Sequence, residues 1–190
     1  MCYILFMKHY TIATIGHSTH SLEEFIELLR MHAIRLLVDV RTIPRSHAHP
    51  QFGIDQLPDA LQRAGIEYVH LAALGGLRHP RKDSLNAGWR NASFRGFADY
   101  MATPAFWTGL DELEERARRT TTVIMCAEAV PWRCHRSLIA DALTIAGWRV
   151  SHIISKHSVR EHTLTPFLRV KDGLLIYPPV TSVSPPDALA

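Results

Sequence analysis

Strand-like and helix-like segments alternate along most of the chain, and this alternation constrains the fold more than any other feature. Short runs rich in β-branched and apolar residues predict five strands, at residues 10–15, 35–40, 67–71, 121–126 and 149–154. Apolar residues at helical spacing predict a helix that begins at residue 21 and further helices at residues 55–64, 94–101, 104–119 and 131–146. Such alternation is typical of α/β proteins, so we predict a mainly parallel five-stranded sheet between helical layers.

Local signals mark several boundaries of these elements. Ser21 is a suitable helix N-cap, and Glu24, three residues later, provides the partner of a capping box. Gly65 stands where a helix is expected to end. Near the C-terminus, Asp172 and Gly173 separate two short apolar runs, which predicts a small hairpin.

The length of the chain, 190 residues, suits one domain of ordinary size. We expect residues 10–177 to form a single α/β domain. Residues 1–9 are interpreted as an N-terminal extension, since Met7 is a second plausible start. Residues 178–190 are rich in Pro and Ser and are predicted to be disordered.

Composition excludes several classes of protein. Hydrophobic residues make up 47% of the chain, which excludes collagen-like and wholly disordered proteins. The net charge of +3 excludes a surface that coats polyanions indiscriminately. Three cysteines are too few for a disulfide framework, and no apolar run approaches the length of about 20 residues that a membrane span needs. We expect a cytoplasmic protein with no membrane association.

Polar and glycine residues gather after the predicted strands. In an open parallel sheet, ligands bind outside the carboxyl ends of the strands. The residues at these positions are therefore the candidates for a site: His17, Ser18, Asp39, Arg41, Ser46, Gly75, Gly76, Cys126, Glu128, Arg133, His135 and Arg136.

The segment at residues 126–136 is the densest of these patches. A cysteine at a strand end, a short loop and a helix start would form an anion cradle, because free backbone N–H groups and the helix dipole point into the loop. In that setting Cys126 would act as a nucleophile with a lowered pKa. The alternative is a buried cysteine that packs as a small hydrophobe.

A metal site is a further alternative. Cys126, Cys134, His135 and His17 are the residues on which such a site would draw. The chain lacks the C-x-x-C and H-x-x-x-H pairs that zinc sites commonly show. Cys134 lies four residues before Leu138 and is predicted to pack in the core, so the sequence assigns no residue as a metal ligand.

Several arginines lie in loops and helix starts that should face the same edge. Guanidinium groups match phosphate geometry, which indicates a phosphate-bearing ligand, either a nucleotide or nucleic acid. Trp89 and Trp132 lie among these arginines, where an indole ring would stack on a base. For Asp39 and Arg41, the alternative is a structural ion pair that ties the strand to its loop.

Six ordered motifs together resemble the domain of unknown function 488 family. They are T-I-G-H-S at residues 14–18, D-V-R-x-x-P-x-S at 39–46, L-G-G at 74–76, F-R-G-F-A-D-Y-M at 94–101, C-A-E-A-V-P-W-R-C-H-R at 126–136 and H-x-L-T-P-F at 162–167. The resemblance spans about residues 11–180. It implies a small prokaryotic α/β protein and transfers no reaction. His47 and His49 depart from the basic residues common in this loop, which weakens a purely phosphate-binding account of it.

The leading hypothesis is a protein that binds a phosphate-bearing ligand at the carboxyl edge of its sheet and acts on it. His17 would be the acid or base, and Cys126 or Glu128 the reactive group. Arg41, Arg133 and Arg136 would hold the anion. The alternatives are a non-catalytic nucleic-acid-binding or interaction module and a Cys/His metal-binding protein. The sequence identifies no cofactor and no oligomeric state.

Overall fold

A computed structural model describes residues 10–46 and 48–179, and its centre is a six-stranded sheet. The predicted extension at residues 1–9 and all but the first two residues of the predicted tail lie outside the described residues. The strands of the sheet are β1 (Thr11–Gly16), β2 (Leu36–Asp39), β3 (Glu67–His70), β4 (Thr122–Cys126), β5 (Arg149–Ser155) and β6 (Ser158–Glu161). A separate hairpin pairs β7 (Arg169–Lys171) with β8 (Leu174–Ile176).

Five α-helices connect and cover the strands. They are α1 (Leu22–Met31), α2 (Leu57–Arg63), α3 (Ala92–Met101), α4 (Pro104–Ala117) and α5 (Arg136–Ile145). Among the described residues, none of these helices combines the length and apolar character that crossing a bilayer requires.

The strand order in the sheet is β3-β2-β4-β1-β5-β6, and every neighbouring pair is parallel except β5 and β6. The predicted α/β class, the mainly parallel sheet and the C-terminal hairpin are therefore confirmed. The sheet has one more strand than predicted, because β6 turns back antiparallel to β5 and forms an edge.

Helices cover both faces of the sheet, and each face has its own hydrophobic core. On one face, Phe25 and Leu29 of α1 pack with Leu61 of α2. On the other face, Phe97 of α3 packs with Leu143 of α5, together with residues of α4. The central strands β2 and β4 are buried along their whole length, as strands covered on both faces must be.

Capping hydrogen bonds and residues with positive φ lie at the ends of helices and strands, at the positions that the sequence analysis predicted. The Ser21 hydroxyl accepts from the Glu24 backbone N–H at 3.1 Å, and the Glu24 carboxylate accepts from the Ser21 N–H at 3.1 Å. Gly65 follows α2 with φ of +74°, a conformation that costs glycine little. Asp172 and Gly173 both have positive φ, as the predicted two-residue hairpin turn requires.

Candidate functional site

Three neighbouring strands end side by side at one edge of the sheet. β1 pairs with β4 so that Gly16 lies opposite Cys126, and β2 pairs with β4 so that Asp39 lies opposite Met125. The residues that follow β1 and β2, beginning with His17 and Val40, therefore lie near Cys126. This parallel register brings chemically reactive side chains from distant parts of the sequence to one edge.

The loop after Cys126 is held by its backbone. The His17 N–H donates to the Cys126 carbonyl, and the Ser18 N–H donates to the Ala127 carbonyl, each at 3.0 Å. Gly16 packs so tightly against the Glu128 carbonyl that a side chain there would overlap it. The loop is thus fixed in place, while the Glu128 side chain is exposed to solvent.

The helix predicted to begin at residue 131 begins at Arg136 instead, and this later start determines the position of Cys134. A 3₁₀ turn at Pro131–Arg133 comes first, and Cys134 then adopts an extended backbone with φ of −136° and ψ of 144°. The prediction of a helix over residues 131–146 is therefore wrong at Cys134, which precedes α5, although the predicted burial of Cys134 in the core is confirmed at 3% exposure. The irregular backbone before α5 brings the Cys134 thiol close to His135 and to the end of β4.

His135 faces both cysteines through the same ring nitrogen. Its Nδ1 lies 3.9 Å from the Cys126 Sγ and 3.7 Å from the Cys134 Sγ. Its Nε2 lies 3.0 Å from the Val40 carbonyl oxygen, which can only accept, so Nε2 carries the proton. In the neutral ring the Nδ1 lone pair is then directed at the sulfur atoms. The three donor atoms all lie within 4.8 Å of one another. We call Cys126, Cys134 and His135 the cysteine–histidine cluster.

The cluster is enclosed by tightly packed neighbours. The His135 ring makes an edge contact with Phe97, with ring centroids 5.0 Å apart. Gly76 lies directly against the imidazole, and a side chain at this position would collide with the ring. Predicted site residue Gly75 packs in a similar way against Thr42. The two glycines of the L-G-G motif therefore make room for the loop after β2 and for His135.

Arg136 connects the cluster to the rest of the edge. Its guanidinium is 1% exposed and donates from Nε to the Cys134 Sγ at 3.4 Å. Nη1 donates to the Thr14 hydroxyl at 3.3 Å, and Nη2 donates to the Glu128 carbonyl at 2.5 Å. Every nitrogen of this side chain has a protein partner, and one partner is a cysteine sulfur.

The two cysteines ionise differently. The hydrogen bond with Cys134, followed by burial, raises the pKa of the Cys126 thiol well above its usual value. Burial also opposes ionisation of Cys134, but the hydrogen bond with Cys126 and the charge of Arg136 outweigh it and hold the pKa of Cys134 well below its usual value. Of the two thiols Cys134 therefore has the lower pKa, whereas the sequence predicted a lowered pKa for Cys126.

Asp39 and Arg41 form a buried ion pair beside the cluster. Asp39 is fully buried, and its carboxylate accepts from the Arg41 Nη2 at 2.6 Å and from the Tyr68 hydroxyl at 2.9 Å. Arg41 Nη2 also donates to the Phe52 carbonyl at 2.7 Å. These contacts correspond to the structural ion pair that the sequence left as an alternative. The role of Arg41 in holding an anion stays a prediction.

His17 lies against this ion pair and not in the cysteine–histidine cluster. Its Nδ1 donates to the Ser18 carbonyl at 3.0 Å, and its Nε2 faces the Arg41 Nη1 at 3.4 Å. The ring stacks on Phe52 with centroids 4.3 Å apart. Burial lowers the pKa of His17 to about 4. Of the four residues considered for a metal site, the structure brings three together and directs both nitrogens of His17 elsewhere.

The remaining predicted site residues, Ser18, Ser46 and Arg133, belong neither to the cysteine–histidine cluster nor to the buried ion pair. Ser18 is half-buried with φ of 48°, and the Ser46 hydroxyl accepts from the His49 N–H at 3.0 Å. The Arg133 side chain is exposed and makes no hydrogen bond or ion pair with any residue that the structure describes, while its backbone N–H donates to the Val130 carbonyl at 3.2 Å. Their roles in ligand binding stay predictions.

A buried chain of hydrogen bonds behind β1 escaped the sequence analysis. Asp141 accepts from the His162 Nε2 at 2.9 Å, His162 Nδ1 and His152 Nε2 are 3.0 Å apart, and His152 Nδ1 lies 2.8 Å from the Thr14 hydroxyl. Burial lowers the pKa of His152 to about 4. Two signals in the sequence could have pointed to it: the twelve histidines of the chain and the H-x-L-T-P-F motif, which contains His162 and Thr165.

Comparison with known proteins identifies one family whose model matches most of the chain. The family model described as "Domain of unknown function DUF488" matches residues 21–143, a range that contains the whole cysteine–histidine cluster. No curated protein and no solved structure matches the chain.

Proposed function

The chain belongs to the DUF488 domain family, and from this premise and the geometry of the site we propose that the protein binds a divalent transition metal ion of the zinc class through Cys126, Cys134 and His135. One observation carries the proposal. The sulfur atoms of Cys126 and Cys134 and a ring nitrogen of His135, which directly follows Cys134 in the chain, lie within 4.8 Å of one another.

The distances between these donors suit a tetrahedral ion. With Zn–S bonds of about 2.3 Å and Zn–N bonds of about 2.0–2.1 Å, tetrahedral angles place sulfur and nitrogen about 3.5–3.6 Å apart. His135 Nδ1 lies 3.7 Å from one sulfur and 3.9 Å from the other. Movements of a few tenths of an ångström would therefore complete the coordination, which small side-chain rotations provide.

Groups around the donors resemble the surroundings of metal ligands. A metal-bound histidine commonly donates its second N–H to a carbonyl or carboxylate, which fixes the ring. His135 makes this bond to the Val40 carbonyl. Arg136 donates to the Cys134 sulfur and stabilises a thiolate there. Thiolate and imidazole donors together favour zinc and neighbouring soft ions over Mg²⁺ or Ca²⁺.

The number of ligands bears on the kind of site. Three protein donors are typical of zinc centres that keep one position for water or substrate, whereas structural centres commonly use four. A bound ion would supply Lewis acidity at that remaining position. The residues of the chain would hold the ion, orient His135 through Val40 and keep Cys134 ionised through Arg136.

Metal content of the purified full chain tests the proposal. Protein prepared under reducing conditions without chelator should contain about one zinc-class ion per chain. Cys126→Ser, Cys134→Ser and His135→Gln should each lower the content sharply. His79→Gln, at an exposed residue outside the cluster, is a control that should keep it. Absence of metal in the reduced protein, or equal content in the double variant of Cys126 and Cys134, would overturn the proposal.

A second candidate function is the binding of a phosphate-bearing ligand at this edge, and it is supported by Arg133. This side chain is exposed and unpaired among the described residues, whereas Arg41 and Arg136 already have protein partners. Titration calorimetry with inorganic phosphate tests it. Arg133→Gln should abolish binding, and Arg63→Gln should not. Unchanged binding by the Arg133 variant would exclude this role.

A further inference from the structure

A second concavity lies apart from the cysteine–histidine cluster, beside the antiparallel strand β6. It encloses about 390 Å³, within the range of about 300–1,000 Å³ that small-molecule pockets occupy. None of the three residues of the cluster lines it. We call it the β6 cleft, and its principal lining residues are Trp89, Trp132, His152, Arg160, Pro166 and Phe167.

One wall of the β6 cleft presents an aromatic face. Trp132 lies in the 3₁₀ turn before α5, and 56% of its surface is exposed, whereas Trp148 is buried in the core. Pro131, Pro166 and Phe167 are apolar residues that line the same cleft. Exposed indole rings flanked by apolar walls are suitable platforms for stacking a planar ring.

The rim of the β6 cleft carries a positive charge. Arg160 lies directly opposite His152 in the β5–β6 pairing, so both side chains lie on the cleft face of the sheet. The neighbouring Glu161 also lines the cleft; it lies opposite Ser151 in the pairing, and its carboxylate pairs with Arg149 at 3.6 Å. The Arg160 guanidinium lies 5.9 Å from the Trp132 ring centroid. The Arg160 cation therefore lies over one face of the Trp132 indole.

The floor of the β6 cleft is held rigidly. The fully buried Asp141 carboxylate accepts hydrogen bonds from the Thr165 N–H at 2.9 Å, the Thr165 hydroxyl at 2.7 Å, the Tyr177 hydroxyl at 3.0 Å and His162 at 2.9 Å. His162 in turn fixes His152. These bonds occupy every ring nitrogen of both histidines, so neither histidine has a nitrogen left to bind a ligand. The residues that would recognise a ligand are therefore Trp132 and Arg160.

We propose that the β6 cleft binds a small molecule in which a planar heteroaromatic ring is joined to an anionic group, the chemical class of a mononucleotide. The ring stacks on Trp132, and the anion pairs with Arg160. The site is separate from the proposed metal centre, and its occupancy does not depend on the metal.

Titration calorimetry on the full chain with three probes tests this assignment. Adenosine 5′-monophosphate carries both features, adenosine lacks the anion, and ribose 5-phosphate lacks the ring. The monophosphate should bind about tenfold more tightly than either of the other two probes. Binding of no probe at concentrations up to about 1 mM would overturn the proposal, as would binding of an oligonucleotide alone.

Variants locate the binding. Trp132→Leu and Arg160→Gln should each weaken binding of the monophosphate by about tenfold, the effect expected of a principal aromatic or arginine contact. Both side chains are exposed, so circular dichroism should show folded protein. Leu77→Ala, at an exposed residue, and Arg116→Gln, at a half-buried one, are controls outside the cleft that should leave binding unchanged. Equal binding by the Trp132 and Arg160 variants would contradict the assignment. Binding that persists in the Cys126→Ser variant would separate this proposal from the metal proposal.

Discussion

His135 donates its Nε2–H to the Val40 carbonyl across 3.0 Å, and this bond determines what the opposite side of the ring can do. Val40 follows the buried strand β2, so the acceptor is part of the rigid sheet edge. The bond leaves Nδ1 as a lone pair directed at the sulfur atoms of Cys126 and Cys134. A histidine held in this way is a ready metal donor, because little reorientation is needed on binding.

The first prediction concerns Gly76, which lies against the His135 ring. Gly76→Ala should push the imidazole away from the cysteines, because the added methyl group would overlap it. We expect a stability loss of about 1–3 kcal/mol from overpacking and a loss of metal affinity of about 10–100-fold. Denaturant unfolding and competition with a chromophoric chelator measure the two effects.

Gly65→Ala is the matched control for Gly76. Its φ of +74° disfavours alanine, but beyond its two chain neighbours no atom of the described residues lies within 4 Å of the added methyl group. It should cost about 1–2 kcal/mol of stability through backbone strain while keeping full metal affinity. Equal metal affinity in both variants would show that Gly76 does not position His135.

The predictability of the site differed from that of the fold. Helix and strand periodicity, the Ser21 capping box and the Asp172–Gly173 turn are local signals, and the structure confirms them. Strand β6 was missed because Ser158–Glu161 is a short, mostly exposed edge strand with no apolar alternation. Its pairing with β5 is set by tertiary structure rather than by its own residues.

The geometry of the cysteine–histidine cluster could not be predicted from the sequence. Pro131 suits a first helical turn, so the helix was predicted to include Cys134. The extended conformation of Cys134 depends on the 3₁₀ turn before it. The Nδ1 direction of His135 depends on a carbonyl 95 residues away in the chain. Neither could be predicted from spacing, because the cluster follows no short metal-binding motif.

The second prediction concerns the buried ion pair of Asp39 and Arg41. Asp39→Asn should destabilise the protein by about 3–5 kcal/mol, because it leaves a buried guanidinium without its counter-charge. Metal content should stay unchanged in the folded fraction. Thermal unfolding and metal analysis measure these effects.

Asp83→Asn is the control for Asp39, since Asp83 pairs with Arg81 at the exposed surface. Its unfolding midpoint should match that of the unsubstituted protein. If Asp39→Asn were equally harmless, Arg41 would not be a structural residue, and its predicted role in holding an anion would gain support.

The third prediction concerns the stability of the protein at acidic pH. His152 has its pKa lowered to about 4 in the folded protein by burial, against an ordinary value of 6.5. Between these values the unfolded chain binds a proton that the folded protein does not, so the free energy of unfolding falls as pH falls. The stabilisation is complete above pH 6.5 and is lost progressively down to about pH 4.

At pH 5 the loss attributable to His152 should be about 2 kcal/mol relative to pH 7.5. Urea unfolding at the two pH values measures it. The His152→Gln variant should show a correspondingly smaller difference, whereas the exposed control His79→Gln should not. Equal stability of the unsubstituted protein at both pH values would contradict the assignment of a buried neutral His152.

X-ray absorption at the zinc edge of the loaded protein tests the central claim most directly, since it reports the atoms bound to the metal. The account predicts two sulfur ligands at about 2.3 Å and nitrogen or oxygen ligands at about 2.0–2.1 Å. Cys134→Ser should reduce the sulfur count from two to one. A first coordination shell of oxygen and nitrogen alone would contradict binding by Cys126 and Cys134.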